Sequence, residues 1–164
     1  AIAAAAGVDP ALIRHFYGSK DELFTATVNF PADAVERVLG ALAGPREELG
    51  ERIVRIYLGL WEDPDTAAPL LTMFRSAVGS EQAAELLREF LRARVLRRVA
   101  PGIGADRPEL RATLATSHLL GTAIARYVLR VPPLADVDRE DLVAVLAPTV
   151  QRYLTAPLGA PVRG

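Results

Sequence analysis

Residues Ile2 to Phe24 read IAAAAGVDPALIRHFYGSKDELF, and their punctuation decides the fold. Ala1 to Ala6 form the end of a helix, and Gly7 supplies its left-handed stop. Asp9 followed by Pro10 is an N-cap before a proline at the first helical position, where a missing N–H breaks no bond. A very short helix therefore runs to about Phe16. Gly18 turns the chain, and Ser19-Lys20-Asp21-Glu22 is a capping box, with Ser19 and Glu22 three residues apart. The helix it opens extends to about Asn29, ahead of Pro31. Two short helices joined by a tight, glycine-containing turn form a helix-turn-helix, whose second helix enters the major groove with its N-terminal residues toward the base edges. That second helix is Asp9 to Phe16. Ala3, Val8, Leu12 and Ile13 hold the unit together, which leaves Pro10, Ala11, Arg14 and His15 on the outside.

Downstream the pattern stays helical, with Pro and Gly between periodic segments and no β-branched alternation. Pro31 to Ala43 is amphipathic, with Ala34, Val35, Val38, Leu39 and Leu42 at helical spacing. After Gly44-Pro45, a helix to about Glu62 aligns Leu49, Ile53, Ile56, Tyr57 and Leu60. Asp63-Pro64 restarts the chain for a helix through Leu70, Leu71, Phe74 and Val78 to Gly79. Ser80 caps a long helix to about Val99, which Pro101-Gly102 ends. The longest helix runs from Asp106 to about Val131, ahead of Pro132-Pro133. Asp138 opens the last, with Leu142, Val145, Leu146, Val150, Tyr153 and Leu154 apolar and Pro148 as an internal kink. The domains expected are 1–30, a partial helix-turn-helix; 31–156, a helical bundle; and 157–164, a Pro/Gly-rich frayed tail.

Composition narrows the function classes. Of 164 residues, 51% are hydrophobic, enough for a sizeable core, and 24% are charged with a formal net charge of -1. That balance excludes a bulk polyanion binder, so any contact with DNA is local. The chain has no Cys, which removes disulfides, zinc knuckles and thiol catalysis and is compatible with a cytoplasmic location. No apolar run is long enough for a membrane span, and AIAAAAGV lacks the basic flank of a signal peptide. The chain begins in helix-like sequence without an initiator Met, so upstream residues are expected. No HExxH-like cluster is present, and Ser76, Ser80, Ser117 and His118 form no catalytic set, so no enzyme, metal site or cofactor is expected.

The stretch resembles the signature of the TetR family of transcriptional regulators, in which I-A-x-x-A-G-V leads into the recognition helix and an aromatic-x-S-K-x-x-L segment follows. Ile2, Ala3, Ala6, Gly7, Val8, Tyr17, Ser19, Lys20 and Leu23 fall on that pattern. The resemblance implies an all-α fold, a helix-turn-helix head lacking its first helix on a ligand-binding and dimerisation bundle. It implies a homodimer, a double-stranded DNA operator of palindromic form and a small-molecule effector, with repression relieved by ligand as the commoner mode. The DNA-contact candidates are Asp9, Pro10, Ala11, Arg14, His15, Tyr17 and Lys20. Lys20 stands out, because it starts a capped helix whose dipole and free N–H groups favour phosphate. Two positions depart from the family. Asp9 stands where Ser or Thr is usual, and Arg14 where Tyr usually contacts phosphate; Arg can donate to phosphate or read guanine bidentately.

For the ligand pocket, the resemblance directs attention to Trp61, Met73, Phe74, Phe90 and His118, since pockets are mostly apolar with a few polar anchors and Met adapts to irregular ligands. Ordinary core packing competes at each position. Arg75 and Arg126 are candidate anchors for an acidic ligand, against internal salt bridges. The last two long helices are the expected dimer interface, with Gly121, Thr122, Ala125, Leu129, Leu146, Val150 and Tyr153. The competing reading of the whole chain is a helical protein–protein interaction module that binds no operator.

Overall fold

The computed structural model describes residues 33–158. Every regular element among them is helical, as the sequence leads one to expect: α1 (Ala34–Leu42), α2 (Leu49–Glu62), α3 (Pro64–Gly79), α4 (Glu81–Phe90), α5 (Arg97–Ile103), α6 (Pro108–Ala123) and α7 (Arg139–Thr155). A 3-10 turn, Arg46–Glu48, leads into α2. Two π-helical segments complete the set. Leu91–Leu96 joins α4 to α5, and Ile124–Val128 prolongs α6.

The sequence punctuation works as capping chemistry. The Asp63 carboxylate accepts the Asp65 N–H at 3.0 Å, with Pro64 at the first helical position. Ser80 accepts the Ala83 N–H at 3.4 Å, and Asp138 accepts the Glu140 N–H at 2.8 Å. Each satisfies a donor that the first helical turn leaves without a partner. Two expected boundaries fail. Pro101-Gly102 does not stop the helix that Ser80 opens: both residues lie within α5, and the stop is Gly104, in the left-handed region at φ +62°. Glycine bears that conformation without a Cβ clash. The helix expected from Asp106 begins instead at Pro108, after Arg107 at φ +48°, and its end widens into the π segment.

The main core lies between α2, α6 and α7. Leu49, Val54 and Leu58 from α2, Ala112, Ala115 and Leu119 from α6, and Leu142, Val143, Leu146, Val150 and Leu154 from α7 form one buried cluster with Ile103. At its heart α2 and α7 come close enough that a Cβ on Gly50 would stand 2.5 Å from the Ala147 carbonyl oxygen. The Gly50 N–H, an unsatisfied donor of the first turn of α2, instead donates to Gln151 Oε1 at 2.6 Å, and Gln151 Nε2 donates to the Arg46 carbonyl at 2.8 Å. Arg111 is 1% exposed and ties α6 to the end of α7. It donates to the carbonyls of Tyr153 and Ala156, each at 2.8 Å, to the Asp106 carbonyl at 2.6 Å, and to the Asp106 carboxylate. A second buried cluster, Ala34, Leu60, Trp61, Leu70 and Ala123, lies toward α1 and α3.

Candidate functional site

Between the main core and the outer helices lies an apolar cavity of about 190 Å³. Its walls come from α1 (Val35, Val38, Leu42), α2 (Ile53, Ile56, Tyr57, Leu60, Trp61), α3 (Leu70, Met73, Phe74) and α6 (Ala112, Ala115, Thr116, Leu119, Leu120). Ala34 and Leu154 also line it, and a further wall is a single series, Leu87, Leu91, Val95, Val99 and Ile103, at a strict four-residue spacing along α4, the π segment and α5. An α-helix has 3.6 residues per turn, so a four-residue spacing drifts by about 40° at every step. The wider π turn drifts the opposite way. Placed mid-series, it keeps these apolar side chains on one wall.

A larger groove, about 470 Å³, runs between α2 and α7, lined by Glu47, Glu48, Glu51, Arg55 and Glu140 among others. It is open to solvent, and Arg55 bridges it to Glu51 at 2.9 Å and to Glu140 at 2.7 Å. These exposed ion pairs line it, so the apolar cavity is the candidate site.

The electrostatics of the cavity are simple. Among the described residues, no side chain lining it belongs to Asp, Glu, Lys, Arg or His. Burial pushes the Tyr57 phenol up to about 12, the Trp61 indole N–H pulling the other way, so this lining hydroxyl is neutral at ordinary pH. Trp61 is 7% exposed, and its indole Nε1 is buried beside the Tyr57 phenol. The indole lies parallel to the Tyr127 ring, with centroids 6.1 Å apart and 3° between planes. Tyr127 donates its phenol to Glu62 Oε1 at 2.8 Å, and Glu62 pairs with Arg139 at 2.9 Å. Burial and then that carboxylate push the Tyr127 phenol up to about 12. The indole is thus held by a chain of contacts that leads away from the cavity.

Of the pocket candidates, Trp61, Met73 and Phe74 line the cavity, while Phe90 and His118 do not. Phe90 is buried, but it follows α4 one residue out of phase with Leu87 and Leu91. His118 lies on the other side of α6, edge-on to Tyr153 at 5.9 Å, because Ala115, Thr116, Leu119 and Leu120 take the cavity face. Arg126 forms no anchor either: it donates to the Leu134 carbonyl at 2.7 Å and stacks over Tyr127 at 5.4 Å. Tyr57, Thr116 and the four-residue series were not singled out from the sequence as lining; the repeated spacing from Leu87 to Ile103 was the available signal.

The interface candidates also divide. Leu146 and Val150 turn inward, Val150 with no exposure at all, and so cannot meet a second subunit without opening the core. Tyr153 packs partly against the same cluster. Gly121 has open space where a Cβ would stand, and Leu129 is 66% exposed. Val145, expected among the apolar positions of α7, is 71% exposed. Asp9, Pro10, Ala11, Arg14, His15, Tyr17 and Lys20 lie outside the described residues. Among the described residues no group of His, Asp and Glu could hold a metal ion, and no helix is long and apolar enough to cross a membrane.

Comparison with known proteins gives a consistent family. The family described as tetracyclin repressor-like, C-terminal domain, matches residues 47–154. The chain is 36% identical over 91 residues to the HTH-type transcriptional regulator BetI of Rhizobium meliloti (strain 1021), covering 52% of this chain and 44% of that protein. It is 36% identical over 95 residues to the BetI regulator of Brucella anthropi, covering 56% and 49% respectively. The chain thus spans about half the length of the curated relatives it matches. Among solved structures, a TetR-family regulator from Streptomyces coelicolor A3 superposes with a TM-score of 0.65 at 33% identity, over 93% of this chain and 80% of that one.

Proposed function

Because the chain belongs to the tetracyclin repressor-like (TetR) family, we propose that it is a ligand-responsive, DNA-binding transcriptional regulator. In this reading it is a homodimeric repressor that leaves a palindromic operator when a small apolar molecule enters the cavity. The observation that carries the proposal is the apolar cavity itself, lined almost wholly by hydrocarbon side chains from several helices. Well-packed interiors leave few voids larger than a water molecule, and a pocket lined this way is the default ligand site.

The mechanism follows from spacing. Two recognition helices fit successive major grooves when about 34 Å apart. A ligand releases DNA only if it binds better to the state in which they are wrongly spaced. The segment expected to read DNA precedes α1 in the sequence, and α1 puts Val35, Val38 and Leu42 on the cavity wall. A ligand that moves α1 therefore moves the first described helix after that segment. The two subunits meet through the outward faces of α6 and α7, with Gly121, Leu129 and Val145 as the contacts in place of Leu146 and Val150.

Selection of bound fragments from random DNA with the full-length protein tests the proposal. The expected product is an inverted repeat whose half-sites are separated by about one helical turn or a multiple of it. Lys20→Ala is expected to weaken binding to all sequences alike and to lower the salt slope. Failure to enrich any inverted repeat sinks the regulator and favours a protein–protein module.

A further inference from the structure

We propose that Tyr57 on α2 and Thr116 on α6 are specificity-determining residues of the cavity, whose hydroxyls select a ligand with a neutral carbonyl or hydroxyl oxygen over a pure hydrocarbon of the same shape. This deepens the ligand-response proposal, which a wholly apolar molecule would satisfy, and rests on it for its regulatory meaning.

A contrast within one helix points to Thr116. Thr113, Thr116 and Thr122 all lie on α6. Thr113 donates its hydroxyl to the Glu109 carbonyl at 2.8 Å and Thr122 to the His118 carbonyl at 3.0 Å, the bond that a helical threonine makes to its preceding turn. Thr116 makes no such bond to a described residue, and it is the one of the three that lines the cavity. Its oxygen is not sealed inside the protein. Tyr57 reaches the same cavity from α2. Burial pushes its phenol up to about 12 against the smaller pull of the Trp61 indole N–H, which meets the phenol oxygen. With that oxygen engaged and its proton retained, Tyr57 presents an O–H donor to an occupant. The other described lining side chains, the Trp61 indole aside, carry no O–H or N–H group. A hydroxyl that faces hydrocarbon without a partner is costly. A ligand oxygen removes that cost and a hydrocarbon in its place does not. A carbonyl accepts from both hydroxyls; a ligand hydroxyl accepts from Tyr57 and donates to Thr116, which serves in either sense. The oxygen is a neutral one, because an ionised group loses its hydration and meets no charged partner in this wall.

Calorimetry on the full-length protein with three probes of one shape tests this: acetophenone, 1-phenylethanol and cumene, which carry a carbonyl oxygen, a hydroxyl and a methyl group at the same position. Tyr57→Phe and Thr116→Val each remove one hydroxyl and keep the side chain's outline. Each is expected to weaken acetophenone and 1-phenylethanol about fivefold to tenfold, the effect of one lost hydrogen bond, while leaving cumene within about twofold. The unchanged cumene affinity doubles as proof that the variant's cavity is intact. If Tyr57→Phe does not fold, Thr116→Val and the infrared carbonyl stretch of acetophenone bound to the wild-type protein decide. That band should lie below its position in cyclohexane, and should move back toward it in Thr116→Val. The proposal is overturned if either folded variant leaves acetophenone unchanged, if a variant weakens cumene as much as acetophenone, if the bound carbonyl stretch equals that in cyclohexane, or if none of the three probes binds. Operator release is measured separately. Acetophenone binding that both variants weaken, without release, breaks the regulatory proposal and leaves this one intact; release by a ligand that neither variant weakens does the reverse.

Discussion

The two sides of this bundle are packed to different standards. In the buried core shared by α2, α6 and α7 the packing is close: Val54, Leu58 and Val150 have no exposed surface, and a single methyl group on Gly50 would collide with the backbone of α7. On the side of α1, α3 and the α4–α5 series, lining residues such as Val38, Met73, Phe74, Leu91 and Val95 stay partly exposed around a void. The first region fixes the relative position of the last two helices. The second is a wall that can adjust to an occupant, since its side chains are not wedged into one another. A regulator needs both: a rigid reference against which a movable element is displaced, and a compartment whose filling displaces it.

Truncating one leucine on each side separates the two regimes most sharply. Leu58→Ala is expected to cost about 3–4 kcal/mol, the range for a fully enclosed leucine in a core that cannot collapse. Leu91→Ala is expected to cost only about 1–2 kcal/mol, because a side chain facing a void has fewer contacts to lose. Denaturant titration at one fixed protein concentration measures both. Equal losses would mean that the cavity wall is as tightly packed as the core, and the contrast would fail.

Next in size comes Arg111→Met, which fills the same space but leaves the carbonyls of Tyr153 and Ala156 without their donor. Unsatisfied buried acceptors and a lost charge partner together predict a loss of about 2–3 kcal/mol. Unlike Leu58→Ala, this change should loosen the end of α7 selectively, visible as faster amide exchange near Leu154. A uniform increase in exchange across α2 and α7 would place Arg111 among ordinary core residues.

A pair of glycines probes the same contrast on a smaller scale. Gly50→Ala must push α7 away from α2, and is expected to destabilise by about 1–2 kcal/mol after its gain in helix propensity is subtracted. Gly40, exposed in α1, has nothing within 4 Å of a Cβ among the described residues. There Gly→Ala should stabilise by about 0.5–1 kcal/mol. Opposite signs in thermal unfolding are the expected outcome; the same sign at both sites would put α1 under constraints that its open surroundings do not suggest.

These contrasts also explain what the sequence could and could not disclose. Caps were legible because they depend on residue type: Asp63-Pro64, Ser80 and Asp138 each start a helix for a local chemical reason. The π segment at Leu91–Leu96 was not, because it leaves only an unusual spacing, Leu87 to Ile103 in steps of four. The choice of Phe90 and His118 for the site relied on their chemical character, whereas phase around the helix decides what lines a cavity, and each stands out of phase with its lining neighbours. Leu146 and Val150 failed as interface residues for a related reason. A helix with apolar positions nearly all round does not say which stripe faces its own subunit, and here Leu146 and Val150 go inward while Val145 goes out.

The smallest effect is a titration. The Arg111 guanidinium, against an opposing cost of burial and with Arg107 adding to it, holds the Asp106 carboxyl below its ordinary 3.8. A carboxyl whose pKa is depressed in the folded state contributes stability above its unfolded pKa, and that contribution disappears as pH falls through the folded value. The relevant window therefore lies below about pH 4, and the contribution at neutral pH is modest because the carboxylate is well exposed to solvent and salt. The melting temperature of the wild type should fall more steeply in that acid window than that of Asp106→Asn, and the two should converge at its lower end. Arg111→Met should behave differently, remaining well below the wild type at every pH, because the bonds from Arg111 to the carbonyls of Asp106, Tyr153 and Ala156 do not titrate. If Asp106→Asn instead reproduced the full loss of Arg111→Met, the ion pair and not the capping of α7 would be what secures the rigid side of the bundle.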